Sequence, residues 1–277
     1  MKTNEKTVSI DIMDSPMTAL DAGEGETVVL GHSFLWDAEM WRPQIDLLSR
    51  HYRVIVPNLW GHGGSGPLPE GTRDLLDIAR HHLMLLDRLG IRRFALVGLS
   101  VGGMWGVELA GLAPDRIRGL ALLDTYAGPE PSISRNHYFA LLAAVEASRA
   151  LPEQALNAIV PLFFSPNIHV SAPDLPIRFR AALKAWNPDR LVDSIVPLGR
   201  MIFDRRDALG DLPGLAMPTI VMTGAGDIPR PVQEGRQMAA ALRCRFVELP
   251  GAGHISSLQA PEAVTRELTT FLSALPR

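Results

Sequence analysis

Phe94-Ala95-Leu96-Val97-Gly98-Leu99-Ser100-Val101-Gly102-Gly103-Met104 decides the fold. Its first four residues read as a buried strand, and the small residues from Gly102 onward read as a helix able to pack close to a sheet. A serine between them is lifted out on a sharp turn. Glycines at 98 and 102 permit backbone angles and close approaches that a Cβ would block. Ser100 is therefore the candidate nucleophile.

Outward from this turn, strands alternate with helices. Val28-Val29-Leu30 and Arg53-Val54-Ile55-Val56 read as strands and residues 75–89 as a helix. Residues 119–123 and 218–222 resume the strands, followed by a helix at 232–242, a strand at 246–249 and a helix at 261–275 whose proline suits a first turn. This is the pattern of crossover units in a mostly parallel sheet flanked by helices. Ahead of it, residues 8–12 and 17–20, separated by the turn signal Asp14-Ser15-Pro16, read as an antiparallel hairpin. Between Tyr126 and Gly210 the strand rhythm stops, and residues 138–151, 154–164, 177–186 and 191–203 read as helices. The expected architecture is an α/β core, residues 1–125 and 211–277, with a helical lid at 126–210. Inserted after a parallel strand, such a lid covers the usual ligand crevice of an open α/β sheet.

Composition bounds the partners. The chain has 277 residues, 47% hydrophobic and 21% charged, with a net charge of -3, enough to bury a full core. No run of like charge suits a phosphate backbone or an anionic bilayer, so neither nucleic acid nor membrane is an expected partner. The single Cys244 excludes an internal disulfide and reads as structural. Met1 to Lys6 carry no apolar leader, and the expected location is the cytoplasm. His81 and His82 are adjacent and point to different sides of their helix. With no cysteine cluster and no His-Glu-x-x-His pattern, no metal is expected.

A serine hydroxyl is a weak nucleophile at neutral pH and needs a base, itself held by an acid. Gly224-Ala225-Gly226-Asp227 follows one strand and Gly251-Ala252-Gly253-His254 the next, in the order nucleophile, acid, histidine. Asp124, ending the strand before the insertion, is a rival acid.

With these residues in place, the chain resembles the α/β-hydrolase superfamily over nearly its whole length. It is similar to compact esterases, enol-lactonases and cofactor-free haloperoxidase-like enzymes. The resemblance implies Ser100 as nucleophile, Asp227 as orienting acid, His254 as general base, and no cofactor. Gly61-His62-Gly63-Gly64-Ser65-Gly66 resembles the family's glycine-rich turn, with Asn58 where the family often carries aspartate. Gly31-His32-Ser33-Phe34 stands in place of its His-Gly-x pattern. Matching His32 to that histidine implies an oxyanion hole made by the backbone N–H groups of Phe34 and Val101. Ser33 then occupies a glycine position: either the loop tolerates a side chain there, or its hydroxyl faces the pocket.

Ser33, Tyr126 and Trp186 are the candidate substrate contacts, with Tyr138, Phe139, Phe163 and Phe164 as further aromatics of the lid. Met104 and Trp105 read as core beneath the nucleophile. The expected function is a serine hydrolase cleaving a small or medium carboxylic ester, lactone or thioester. Two alternatives remain: the same triad applied to C-C bond hydrolysis or to acyl transfer and perhydrolysis, and a non-enzymatic ligand-binding module.

Overall fold

The strand preceding Ser100 lies in the middle of the sheet, and its neighbours explain why. In the computed structural model, which describes residues 4–276, eight strands form one sheet in the order β1-β2-β4-β3-β5-β6-β7-β8. They are β1 (Glu5–Ile12), β2 (Ser15–Ala22), β3 (Thr27–Gly31), β4 (Arg53–Pro57), β5 (Phe94–Leu99), β6 (Ile117–Leu123), β7 (Thr219–Gly224) and β8 (Arg245–Leu249). Strands β3 to β8 pair with one another in parallel, and the β1–β2 hairpin adds antiparallel, β1 to β2 and β2 to β4. Every residue of β5 and β6 is buried, as expected of parallel strands covered on both faces.

The hairpin turns earlier than the sequence suggests. Met13 and Asp14, both at positive φ (52° and 61°), make the two-residue turn, and Ser15 and Pro16 already pair within β2.

The flanking helices are α1 (Arg42–Leu48), α2 (Leu75–Arg88) and α3 (Val101–Leu112) on the N-terminal side. Asp74 caps α2 by accepting the Asp77 N–H at 2.9 Å. Helix α3 is buried from Val101 to Ala110, in keeping with its largely apolar sequence, and its one charge, Glu108, is paired with Arg206. Between β6 and β7 the chain carries α4 (Ser132–Ser148), α5 (Glu153–Ile159), α6 (Ile168–Ser171), α7 (Asp174–Lys184), α8 (Pro188–Arg190), a wide turn at Leu191–Ile195, and α9 (Val196–Phe203). Helix α10 (Val232–Leu242) follows β7, and α11 (Ser256–Gln259) and α12 (Pro261–Ser273) close the chain. Among the described residues, no helix is long and apolar enough to cross a membrane.

Candidate active site

Ser100 sits at φ 57° and ψ -123°, a conformation that costs a non-glycine residue energy and aims its side chain away from the strand. Neighbouring glycines make the turn possible. A Cβ on Gly98 would lie 2.3 Å from the Gly102 carbonyl oxygen, and one on Gly102 would lie 2.2 Å from that of Gly31. The second contact also draws the end of β3, and the loop after it, against the start of α3.

His254 and Asp227 arrive from the loops after β8 and β7. His254 Nε2 lies 2.9 Å from Ser100 Oγ, and Nδ1 lies 3.0 and 3.1 Å from the two Asp227 oxygens. All three side chains are buried. The Arg230 N–H donates to Asp227 Oδ1 at 2.9 Å, and a Cβ on Gly224 would lie 2.4 Å from the Gly253 carbonyl oxygen, so the two loops pack backbone to backbone. Asp124, the rival acid, makes no hydrogen bond to His254. It is fully buried, accepts the Gly224 N–H at 2.7 Å and is bonded by the Ser256 hydroxyl, clasping the bases of the acid and histidine loops. Burial, reinforced by the nearby Asp227, raises its carboxyl well above the ordinary range.

In the loop after β3, the N–H of Ser33 donates to Met40 Sδ, that of Leu35 to His62 Nε2 at 3.1 Å and that of Trp36 to the Ser33 carbonyl. The N–H groups of Phe34 and Val101 have no acceptor among the described residues. Two histidines hold this loop reciprocally. His32 Nε2 accepts the Leu59 N–H at 2.9 Å, while His62, from the loop after β4, accepts that of Leu35. Each Nδ1 donates to a carbonyl, of Ser33 and of Trp60, which fixes the neutral tautomers. Burial holds His32 down to about 4 and His62 well below its ordinary value. The sequence marked His62 only as a local loop residue, because its partner is 27 residues away. Asn58 explains its departure from aspartate: Oδ1 accepts the Ala38 N–H, and Nδ2 donates to Thr18 Oγ1, which a carboxylate cannot do.

Ser100 and His254 open onto a chamber of about 100 Å³. Ser33, Phe34 and Met104 line it from the core, and Tyr138, Phe163 and Phe203 from the insertion. Ser33 is fully buried in that wall, so the loop accommodates its side chain. Phe163 meets the His254 ring at 5.7 Å between centroids, and its carbonyl accepts the Ile255 N–H.

Two expected substrate contacts lie elsewhere. Tyr126 turns outward and donates to Gln237 Oε1 on α10 at 2.9 Å. Trp186 packs edge-on against His62 and beneath Arg190, in a separate surface cleft. Phe139 stacks under Arg135, and Phe164 packs against Trp36 and Phe179, so neither lines the chamber. Trp105 stacks on His82 beneath the site at 4.1 Å. Cys244 is half-buried just before β8, its thiol pushed up to about 11 by burial.

Residues 26–261 match the family described as alpha/beta hydrolase fold. A solved thermophilic esterase from Thermogutta terrifontis, with malate bound, superposes with a TM-score of 0.86 at 28% identity, covering 97% of this chain and 98% of that one. The enol-lactonase of Burkholderia xenovorans superposes at 0.83 with 26% identity, covering 96% of this chain and 100% of that one. The (E)-2-((N-methylformamido)methylene)succinate hydrolase of Acinetobacter baylyi is 26% identical over 266 residues, 92% of this chain and 94% of the relative.

Proposed function

The chain belongs to the alpha/beta hydrolase fold family and is an enzyme; from that premise we propose that it is a serine hydrolase of small carboxylic esters, lactones or thioesters. The observation that carries this reading is the buried relay from Ser100 Oγ through His254 to Asp227. Ser100 Oγ attacks the carbonyl carbon while His254 Nε2 takes its proton, and Asp227 holds the ring in the required tautomer and balances the imidazolium. The oxyanion is met by the unengaged N–H groups of Phe34 and Val101, each worth about 3 kcal/mol in the transition state. His254 returns the proton to the leaving group. It then deprotonates a water that attacks the acyl-enzyme, and Ser100 is regenerated.

The chamber's walls favour an apolar acyl or alcohol portion. At about 100 Å³ the chamber favours short chains over long ones. In this reading residues 126–210 form the lid, supplying Tyr138, Phe163 and Phe203 to the chamber roof. The test is a fluorophosphonate probe read by intact mass. A single adduct is expected on the wild type and none on Ser100→Ala; an adduct that persists on Ser100→Ala contradicts the assignment.

A further inference from the structure

The chamber has one polar corner, built from charges that the hydrolytic relay does not use. Glu130, on the segment leaving β6, and Arg230, three residues beyond Asp227, line it beside Tyr138. Their side chains are 1% and 5% exposed. Both Glu130 oxygens accept from Arg230 Nη2, at 2.6 and 2.7 Å, and Oε2 also accepts from Arg205 Nη1 at 2.9 Å. Arg205 is itself only 4% exposed. Glu130 is thus fully committed, but the guanidiniums are not. Arg230 Nη1 and Arg205 Nε and Nη2 are buried without a hydrogen-bond partner among the described residues. Glu234 Oε2 stands 3.5 Å from Arg230 Nη1 without forming a hydrogen bond.

Buried charges are expensive to desolvate, and native structures leave few of their donors unpaired. Burial, opposed by Arg230, pushes the Glu234 carboxyl up to about 7, so near neutrality Glu234 only partly answers the Arg230 guanidinium. Pairing within the cluster therefore leaves guanidinium donors in surplus. At the wall of an otherwise apolar pocket, such a group orients a ligand.

We propose that Arg230 is a specificity residue that receives a carboxylate on the substrate, so that the preferred substrates are esters or lactones bearing a second, ionised carboxyl group on a short chain. The carboxylate accepts from the Arg230 guanidinium at the chamber wall while the reacting carbonyl lies at Ser100. This assignment rests on the serine-hydrolase reading, and it separates a carboxylate-bearing substrate from a purely apolar one.

The experiment uses phenyl monoesters of succinate, glutarate and adipate. Each is paired with the neutral ester in which an isopropyl group replaces the carboxylate, and spontaneous hydrolysis is subtracted. At the best chain length, the wild type is expected to favour the acid by about tenfold or more in kcat/KM, the range of a charged hydrogen bond. Arg230→Met should abolish that preference. Arg230→Lys, which keeps a charge opposite Glu130 and guards against a folding defect, should reduce it. Calorimetric binding of the free dicarboxylate to Ser100→Ala, lost in Ser100→Ala/Arg230→Met, gives a readout independent of turnover. Equal or better turnover of the neutral esters at every length, with no dicarboxylate binding, overturns the subsite alone. Turnover of neither series above Ser100→Ala overturns the hydrolase reading as well.

Discussion

Replacing His62 by phenylalanine keeps a ring in a fully buried place and deletes two hydrogen bonds: the Leu35 N–H to Nε2 at 3.1 Å, and Nδ1 to the Trp60 carbonyl at 2.8 Å. Each loss leaves a buried backbone group unpaired at about 1–3 kcal/mol, so stability should fall by about 2–6 kcal/mol. The catalytic effect is separate. Leu35 adjoins Phe34, whose free N–H is assigned to the oxyanion, and a Leu35 without its anchor lets that donor drift. Complete loss of one such donor lowers kcat by about 10²–10³, and drift should lower it by at least about tenfold. KM should change little, because the donor serves the transition state more than the bound ester. Urea unfolding followed by tryptophan fluorescence, beside steady-state hydrolysis of p-nitrophenyl butyrate, measures both. Stability lost as stated, with kcat within about twofold of wild type, refutes the link between the staple and the hole.

Acid should loosen the same staples: with the folded His32 value held down to about 4, the unfolded chain binds more protons below about 6.5. The histidine contribution to stability should therefore fall as pH drops from about 6.5 toward 4, and a flat urea midpoint across that window in Glu234→Gln, where the opposing carboxyl is removed, contradicts it. Glu234 acts in the opposite direction, facing Arg230, Glu130, Arg205 and Asp227, with its folded value raised to about 7. Its contribution is fully present below about 4.5 and lost as pH rises through about 7. Glu234→Gln should flatten that part of the thermal-stability profile, and an unchanged slope counts against the assignment. Asp227→Asn should lower kcat by about 10⁴, as expected when a histidine loses its orienting acid, and Asp124→Asn by far less; the reverse order in steady-state kinetics would return the acid's role to Asp124. Gly102→Ala sets a methyl against the Gly31 carbonyl and should cost about 1–3 kcal/mol in urea unfolding. An unperturbed unfolding midpoint would show that the close approach is not needed.

What was legible in the sequence follows the range of the interactions involved. The strand-turn-helix around Ser100 is local, because glycine spacing and apolar periodicity act within a dozen residues. The order Ser100, Asp227, His254 needs only strand ends, and strands announce themselves by apolar runs. Helix α1 escaped because its seven residues carry too short a pattern for periodicity. The hairpin turn differs because proline ordinarily marks a turn, whereas Pro16 pairs within β2 opposite Asp11. The positions of Tyr126 and Trp186 are not legible, because aromatic character in the segment between β6 and β7 says nothing of which face meets the chamber. Helices α4 and α9 pack together and turn Tyr138 and Phe203 inward. The Glu130–Arg230 pair spans 100 residues, and no sequence pattern joins them.

A crystal structure of the protein with a phosphonate on Ser100 bears on the nucleophile, the base and the hole at once. The phosphoryl oxygen is expected within ~2.7–3.1 Å of both the Phe34 and Val101 nitrogens, with His254 still bonded to Asp227. An adduct on another residue, or a phosphoryl oxygen turned away from both N–H groups, would contradict the proposed chemistry.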